Sequence, residues 1–325
     1  MKTIIILCLT VIYDEISIIK IIKMFDTLVL SGGSYKGYSY IGVFRRLEQT
    51  GIRSRLKNVS ACSVGSIFGL LLVLGMSSDA MLNAISRYDV NKAYNFDIKS
   101  FMSGFGFCDF SKINSILVKV LNERGIDSQL TFQQLYRLSG INFVINATCL
   151  ETKSVVYFNW ESAPDMQVLK AVQMSCAIPL LFVRVNYEDK TYLDGGLLDN
   201  LPILPFKDKA KEDVLSIYLT ENVTKSDLHS LSGYLFSVIN MVTTNYNSLC
   251  QKLYYPDSYL VKICVPVNLM TLQLSNEQIG ELIESGYQQS NYYFALWRAK
   301  YGFKCPNEIK PKFKLKLIPK KLNVI

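Results

Sequence analysis

The sequence predicts an α/β fold built on a parallel sheet, and three observations predict it. Two consecutive stretches, 27–51 and 56–74, each read as an apolar strand, a turn of small residues and an apolar helix. Half of the 325 residues are hydrophobic, enough for a sizeable core. No linker divides residues 25–300, and no internal repeat is present. Two strand–turn–helix units in succession bring both turns to the carboxyl edge of the sheet, where such folds carry their sites.

The first strand is Thr27–Leu30. It runs into Ser31-Gly32-Gly33-Ser34-Tyr35-Lys36-Gly37, and a helical pattern of Tyr40, Ile41, Val43, Phe44 and Leu47 follows, ending at Gly51. Amides at such a helix start point outward, and glycines let an anion approach them. Two uses compete. A nucleotide site needs G-x-x-x-x-G-K-[ST], which is absent, or G-x-G-x-x-G, whose third position here is Ser34. An oxyanion hole needs a nucleophile nearby.

The second unit supplies one. Its apolar strand ends at Ala61, Ser63 stands at the tip of the turn, and Gly65 opens an apolar helical run. This is the small-x-Ser-x-Gly pattern of a nucleophile elbow, which is so tight that the residues two before and two after the serine must be nearly free of side chain. Ala61 and Gly65 fill those places. The helix N-terminus favours a developing alkoxide on Ser63. Serine is equally a common N-cap, so this stretch taken alone supports either role.

Further along, a helix is expected over 77–90, then a loose glycine-spaced aromatic loop over 100–110 that is either a packed surface loop or the lining of an acyl channel. Helices follow over 112–124 and 131–138, the second capped by Thr131, then adjacent strands over 141–148 and Ser154–Phe158 and a helix over 165–175. A strand after Ala177 leads to Tyr192-Leu193-Asp194-Gly195-Gly196. Asn200, Pro202 and Pro205 mark an irregular segment. Beyond it are expected a strand over 214–219, a long helix over 231–249, a last strand Tyr259–Val265 and a closing helix over 276–300.

A serine hydroxyl needs a group to take its proton. The only histidine, His229, lies in a polar helix start and is expected to be exposed. A carboxylate within hydrogen-bond reach can act directly, and Asp194, on an Asp-Gly-Gly turn after an apolar strand, is the candidate. Asp-Gly is also an ordinary turn.

Eight scattered cysteines with no C-x-x-C pair, beside one histidine, give neither a zinc site nor a disulfide framework. Free thiols point to a reducing, cytoplasmic setting. The formal charge of +8, without a nucleic-acid motif, favours an anionic lipid layer over nucleic acid. Residues 1–23 fit a signal-like segment, a weak membrane anchor or an extension upstream of Met24. The tail 304–325, with seven lysines and one glutamate, is either solvated or a lipid contact.

The order of glycine loop, serine elbow and Asp-Gly-Gly, without a suitable histidine, resembles the patatin-like phospholipase family. The separation of Ser63 from Asp194 is typical of it. The stretches 106–112, Leu130-Thr131-Phe132 with Leu135, 171–182 around Ile178-Pro179, and 194–202 look like the same family, so the resemblance covers about residues 25–205. It implies a three-layer α/β/α fold with a mostly parallel sheet, occupying residues 24–303. It also implies a Ser–Asp dyad that cleaves fatty-acyl esters of lipids in the manner of a phospholipase A or lysophospholipase, with no metal or other cofactor. By the same resemblance Ser63 is the nucleophile and Asp194 the base, Gly32, Gly33 and Ser34 form the oxyanion loop, Lys36 is the basic position and Gly37 the helix-packing glycine. Lys36 either attracts lipid phosphate or is a surface lysine at a helix start. Ser34 and Ala61 stand where the family has glycine, which keeps a catalytically weak lipid-binding or regulatory protein as the alternative. The implied partner is membrane or micellar lipid, met peripherally on anionic membranes. No protein partner is indicated.

Overall fold

The computed structural model describes residues 25–88, 98–221, 229, 231–254, 259–265 and 273–301. The segments 1–23 and 304–325, and the limits expected for the central domain, lie outside them.

Among the described residues the strands are β1 (Thr27–Leu30), β2 (Asn58–Ala61), β3 (Gly106–Cys108), β4 (Asn142–Cys149), β5 (Ser154–Phe158), β6 (Leu180–Phe182), β7 (Val185–Tyr187), β8 (Lys190–Asp194), β9 (Val214–Glu221) and β10 (Tyr259–Val265). The helices are α1 (Ser39–Gln49), α2 (Val64–Val73), α3 (Ser78–Arg87), α4 (Ile98–Gly104), α5 (Ser111–Asn122), α6 (Phe132–Ser139), α7 (Val168–Ser175), α8 (Leu231–Tyr254) and α9 (Asn276–Tyr301). Eight strands make one sheet in the order β10-β9-β1-β2-β4-β8-β7, with β5 beside β4. From β10 to β4 every pairing is parallel. β5 and β8 run antiparallel to β4, and β7 to β8. Helices flank this sheet, giving the mostly parallel three-layer α/β/α fold.

Side-chain alternation shows that both faces are covered. Leu28 and Leu30 of β1 enter the main core, while Val29 between them joins Val144, Leu201, Ile203 and Phe206 in a second one. A strand buried on both sides must be largely apolar, and β1 is, with Thr27 as its one polar residue.

The loop expected over 100–110 is instead α4 followed by β3, which pairs in parallel with β6. Its glycines serve close packing rather than looseness. A Cβ on Gly106 would lie 2.1 Å from the Phe182 carbonyl carbon, and one on Gly104 would lie 2.3 Å from Val183 Cγ1. The N-cap expected at Thr131 is present, and Gln134 extends it into a capping box.

The first and last helices of the described fold meet backbone to backbone. A Cβ on Gly42 of α1 would lie 1.9 Å from the Ile283 carbonyl oxygen, and one on Gly286 of α9 would lie 2.1 Å from that of Ser39. Among the described residues, no helix is long and apolar enough to cross a membrane.

Candidate active site

β1 and β2 pair in register, with Leu30 opposite Ala61, so the loops that follow them leave the sheet side by side. Cys62 N–H donates to Leu30 O at 3.0 Å and ties the two exits together. Ser63 then turns the chain at φ 51°, ψ −128°, a conformation that costs a non-glycine residue about 1 to 3 kcal/mol and that the surroundings must enforce. They do so through the Ser63 N–H, which donates to Ser175 Oγ at 2.8 Å, and through Ser66 Oγ, which donates to Ser63 O at 2.6 Å. Ser63 occupies the N-cap position of α2, yet its hydroxyl caps no amide, which sets the N-cap role aside. Gly65 is required by space: a Cβ there would lie 2.6 Å from Ser31 O. Ala61 ends β2 in extended conformation, so its methyl needs no positive φ.

Asp194 ends β8 opposite Ala147 of β4, and its carbonyl accepts from Thr148 Oγ1 at 2.9 Å. Asp194 is only 5% exposed. Oδ1 accepts the Gly196 N–H at 2.7 Å, whereas Oδ2 is buried without a hydrogen-bond partner. Burial pushes the Asp194 pKa up to about 6, against the lowering pull of the facing Ser63 hydroxyl and of the Gly196 amide. The hydroxyl and the carboxylate, distant in sequence, therefore face one another.

The glycine turn borders the same point, since a Cβ on Gly32 would come within 3.0 Å of Ser63 Cβ. Its three residues are not equivalent. Gly32 N–H is engaged by Asn200, whereas the amides of Gly33 and Ser34 make no hydrogen bond among the described residues. Ser34, which stands where the family has glycine, adopts φ 52°, a conformation that strains a residue with a side chain. Gly37 lets the turn rest on α2, because a Cβ there would lie 2.4 Å from Val64 Cγ2. Lys36 corrects the expectation of a surface lysine: the 3-10 turn Ser34–Tyr38 tucks it inward, and it is 6% exposed. His229 is exposed, as expected.

From Ser63 and Ser34 a cavity of about 130 Å³ runs between α2, α3 and α5, lined by apolar side chains such as Ile67, Leu71, Ala84, Ile113, Leu117 and Val120. Phe110, from the stretch read as a possible channel lining, borders it, whereas Met102 and Phe105 are exposed. Burial, reinforced by the Asp194 charge, pushes the Cys62 and Cys176 thiols up, so neither neighbour of Ser63 is a thiolate. Among the described residues, no group of three or more His, Cys, Asp or Glu side chains is placed to hold a metal ion.

Sequence reasoning missed Ser175, Asn247 and the part played by Asn200. Asn200 N–H donates to Asn247 Oδ1 at 2.7 Å, and Asn247 Nδ2 donates to Gly196 O at 3.1 Å. Single polar residues at element ends carry no periodic signal, and only Asn200, within an irregular segment, was marked at all.

Comparison with known proteins agrees with this fold. An uncharacterized protein of Acanthamoeba polyphaga mimivirus is 26% identical over 271 residues, which cover 80% of this chain and 90% of that one. A probable lipid hydrolase of Invertebrate iridescent virus 6 is 27% identical over 239 residues, covering 69% of this chain and 79% of the relative. The crystal structure of VipD from Legionella pneumophila superposes with a TM-score of 0.59 at 18% identity, over 84% of this chain and 67% of that one, and shares the fold. The model of the patatin-like phospholipase family matches residues 28–207, more than half of the sequence, and the chain belongs to that family.

Proposed function

We propose that the protein is a lipid acyl hydrolase of phospholipase A or lysophospholipase type, working through a Ser63–Asp194 dyad. One observation carries the reading: a hydroxyl held on a strained turn faces a buried carboxylate with a free oxygen, at the mouth of an apolar pocket. Family membership and the relative named as a probable lipid hydrolase support the same class of activity.

In this mechanism the acyl chain occupies the pocket between α2, α3 and α5, leaving the ester carbonyl beside Ser63. Asp194 takes the Ser63 proton as Oγ bonds to the carbonyl carbon. The amides of Gly33 and Ser34, whose hydrogens are uncommitted, receive the oxyanion. Collapse expels the alcohol, which takes the proton from Asp194 and leaves an acyl-serine. Water, deprotonated by the same carboxylate, then releases the fatty acid. A carboxyl whose pKa is raised to about 6 suits the task, since it is ionised at neutral pH yet basic enough to accept a proton. Such chemistry needs no metal or other cofactor.

The strained Ser34 favours the rival, a patatin-fold protein that binds lipid without turnover. Fluorophosphonate labelling and fatty-acid release from phospholipid vesicles decide between them. Wild-type protein is expected to be labelled on Ser63 and to release fatty acid, and Ser63→Ala and Asp194→Asn to lose both. Labelling that survives Ser63→Ala, or no release by pure wild-type protein, removes the hydrolase reading.

A further inference from the structure

α8 is built inside out. From Leu231 to Gln251 it has no charged residue, and its one charge is Lys252. Gly233, Ser237, Asn240, Thr243 and Asn247 recur every three or four positions on its more buried side. Asn247 is fastened there to the main chain of Gly196 and Asn200. The opposite arc carries Leu235, Val238, Met241, Val242, Leu249 and Leu253, from 36% to 65% exposed, with Tyr234 and Tyr246 alongside. A surface helix in water normally has the reverse arrangement.

We infer that the outer face of α8 docks on the anionic lipid layer that holds the substrate. The choice of lipid as occupant rests on the hydrolase reading, while binding itself can be measured without turnover. Three observations favour lipid over a second copy of the chain. The helix has no acidic residue and its single charge is the positive Lys252, so the face carries nothing that an anionic surface repels and one group that it attracts. The two tyrosines combine an apolar body with a polar tip, the form suited to a headgroup boundary. The inner face is hydrogen-bonded to the loop that follows Asp194, so a layer touching the outer face lies within roughly one helix diameter, about 10 Å, of that loop. An interfacial helix of this kind binds through buried apolar area assisted by lysine.

The test uses full-length Ser63→Ala protein, which cannot consume the lipid, and vesicles of phosphatidylcholine with phosphatidylglycerol. The protein is expected to co-sediment with them and to bind phosphatidylcholine alone more weakly. Adding Met241→Glu and Leu249→Glu is expected to weaken binding by about tenfold or more with the melting temperature unchanged. A Val242→Trp variant is expected to gain a blue-shifted emission that brominated lipid quenches. Equal binding by the glutamate variant, or an unquenched Val242→Trp signal, overturns the proposal. So does a dimer in solution that the glutamates dissociate, or a melting temperature that they lower, since the face is then covered by another copy or by the chain itself. Docking without fatty-acid release by the wild-type enzyme would sink the hydrolase reading and leave the surface standing. Release without docking would do the opposite.

Discussion

The amide of Gly32 is shared between the side-chain and main-chain oxygens of Asn200, at 3.1 and 3.2 Å. The first glycine of the turn is thereby pinned to the segment that follows Asp194. Its donor is spent on structure, and the amides of Gly33 and Ser34 are the uncommitted donors of the turn.

Removing the side-chain half of that bond tests its importance. Asn200→Ala leaves Gly32 with one acceptor and frees the turn to shift. A loss of about tenfold in kcat, worth about 1.4 kcal/mol, is expected with KM little changed on a soluble ester. An equal rise in KM instead would mean that the turn binds substrate without stabilising the transition state.

On the proposed mechanism, the Asp194 carboxyl is expected to make activity and stability respond to pH in opposite senses. With a pKa of about 6 it must be ionised to act as base, so kcat/KM is expected to fall through a single protonation as pH drops below about 6. The folded pKa lies above the ordinary 3.8, so stability is complete below about pH 4 and is lost as pH rises through about 6. Asp194→Asn is therefore expected to abolish activity yet stabilise the fold by about 3 kcal/mol at pH 8, and by almost nothing at pH 4. Denaturant midpoints at the two pH values measure this.

Ser34 holds φ 52°, where a side chain is strained and glycine is not. Ser34→Gly is expected to raise stability by about 1 kcal/mol, a melting-temperature gain of about 2 to 4 °C, without loss of kcat. A lower kcat would show that the Ser34 hydroxyl contributes to the reaction.

Gly65 faces the carbonyls of Ser31 and Leu30, with a Cβ placed 2.6 and 2.9 Å from them. Backbone cannot yield as a flexible side chain does, so Gly65→Ala is expected to cost about 2 to 4 kcal/mol, read from thermal or denaturant unfolding.

Ala84 contributes the smallest side chain among the apolar residues lining the pocket between α2, α3 and α5. Ala84→Phe is expected to lower kcat/KM for long acyl chains by about tenfold or more while sparing butyryl esters. Equal loss for both lengths would place the acyl chain elsewhere.

Much of this was legible in the sequence because the sheet and the elbow are written in periodicity and small residues. Thr27–Leu30, Ser154–Phe158 and Tyr259–Val265 are strands with the limits that their apolar runs suggest. The Ser63 turn announces itself through Gly65, whose missing side chain has a steric cause. The misreading at 100–110 has the same root: Gly104 and Gly106 look like loop residues, but they are small because Phe182 and Val183 press against them from a strand far away in sequence. Lys36 misled because a lysine at a helix start is usually solvated, and only the packing of the 3-10 turn reveals that it is covered. The Gly32–Asn200–Asn247–Gly196 chain of hydrogen bonds joins three distant segments, and no local pattern encodes such a meeting.

The family match ends at residue 207, but the folding unit does not. β1, which delivers the glycine turn, is an inner strand only because β9 lies along its other edge, and α1 closes against α9 with no side chain between Gly42 and the Ile283 carbonyl. A protein cut after residue 207 would leave β1 with a raw edge and α1 with a bare seam of main chain open to water. The portion that the family model matches thus borrows its solidity from strands and helices that lie beyond it.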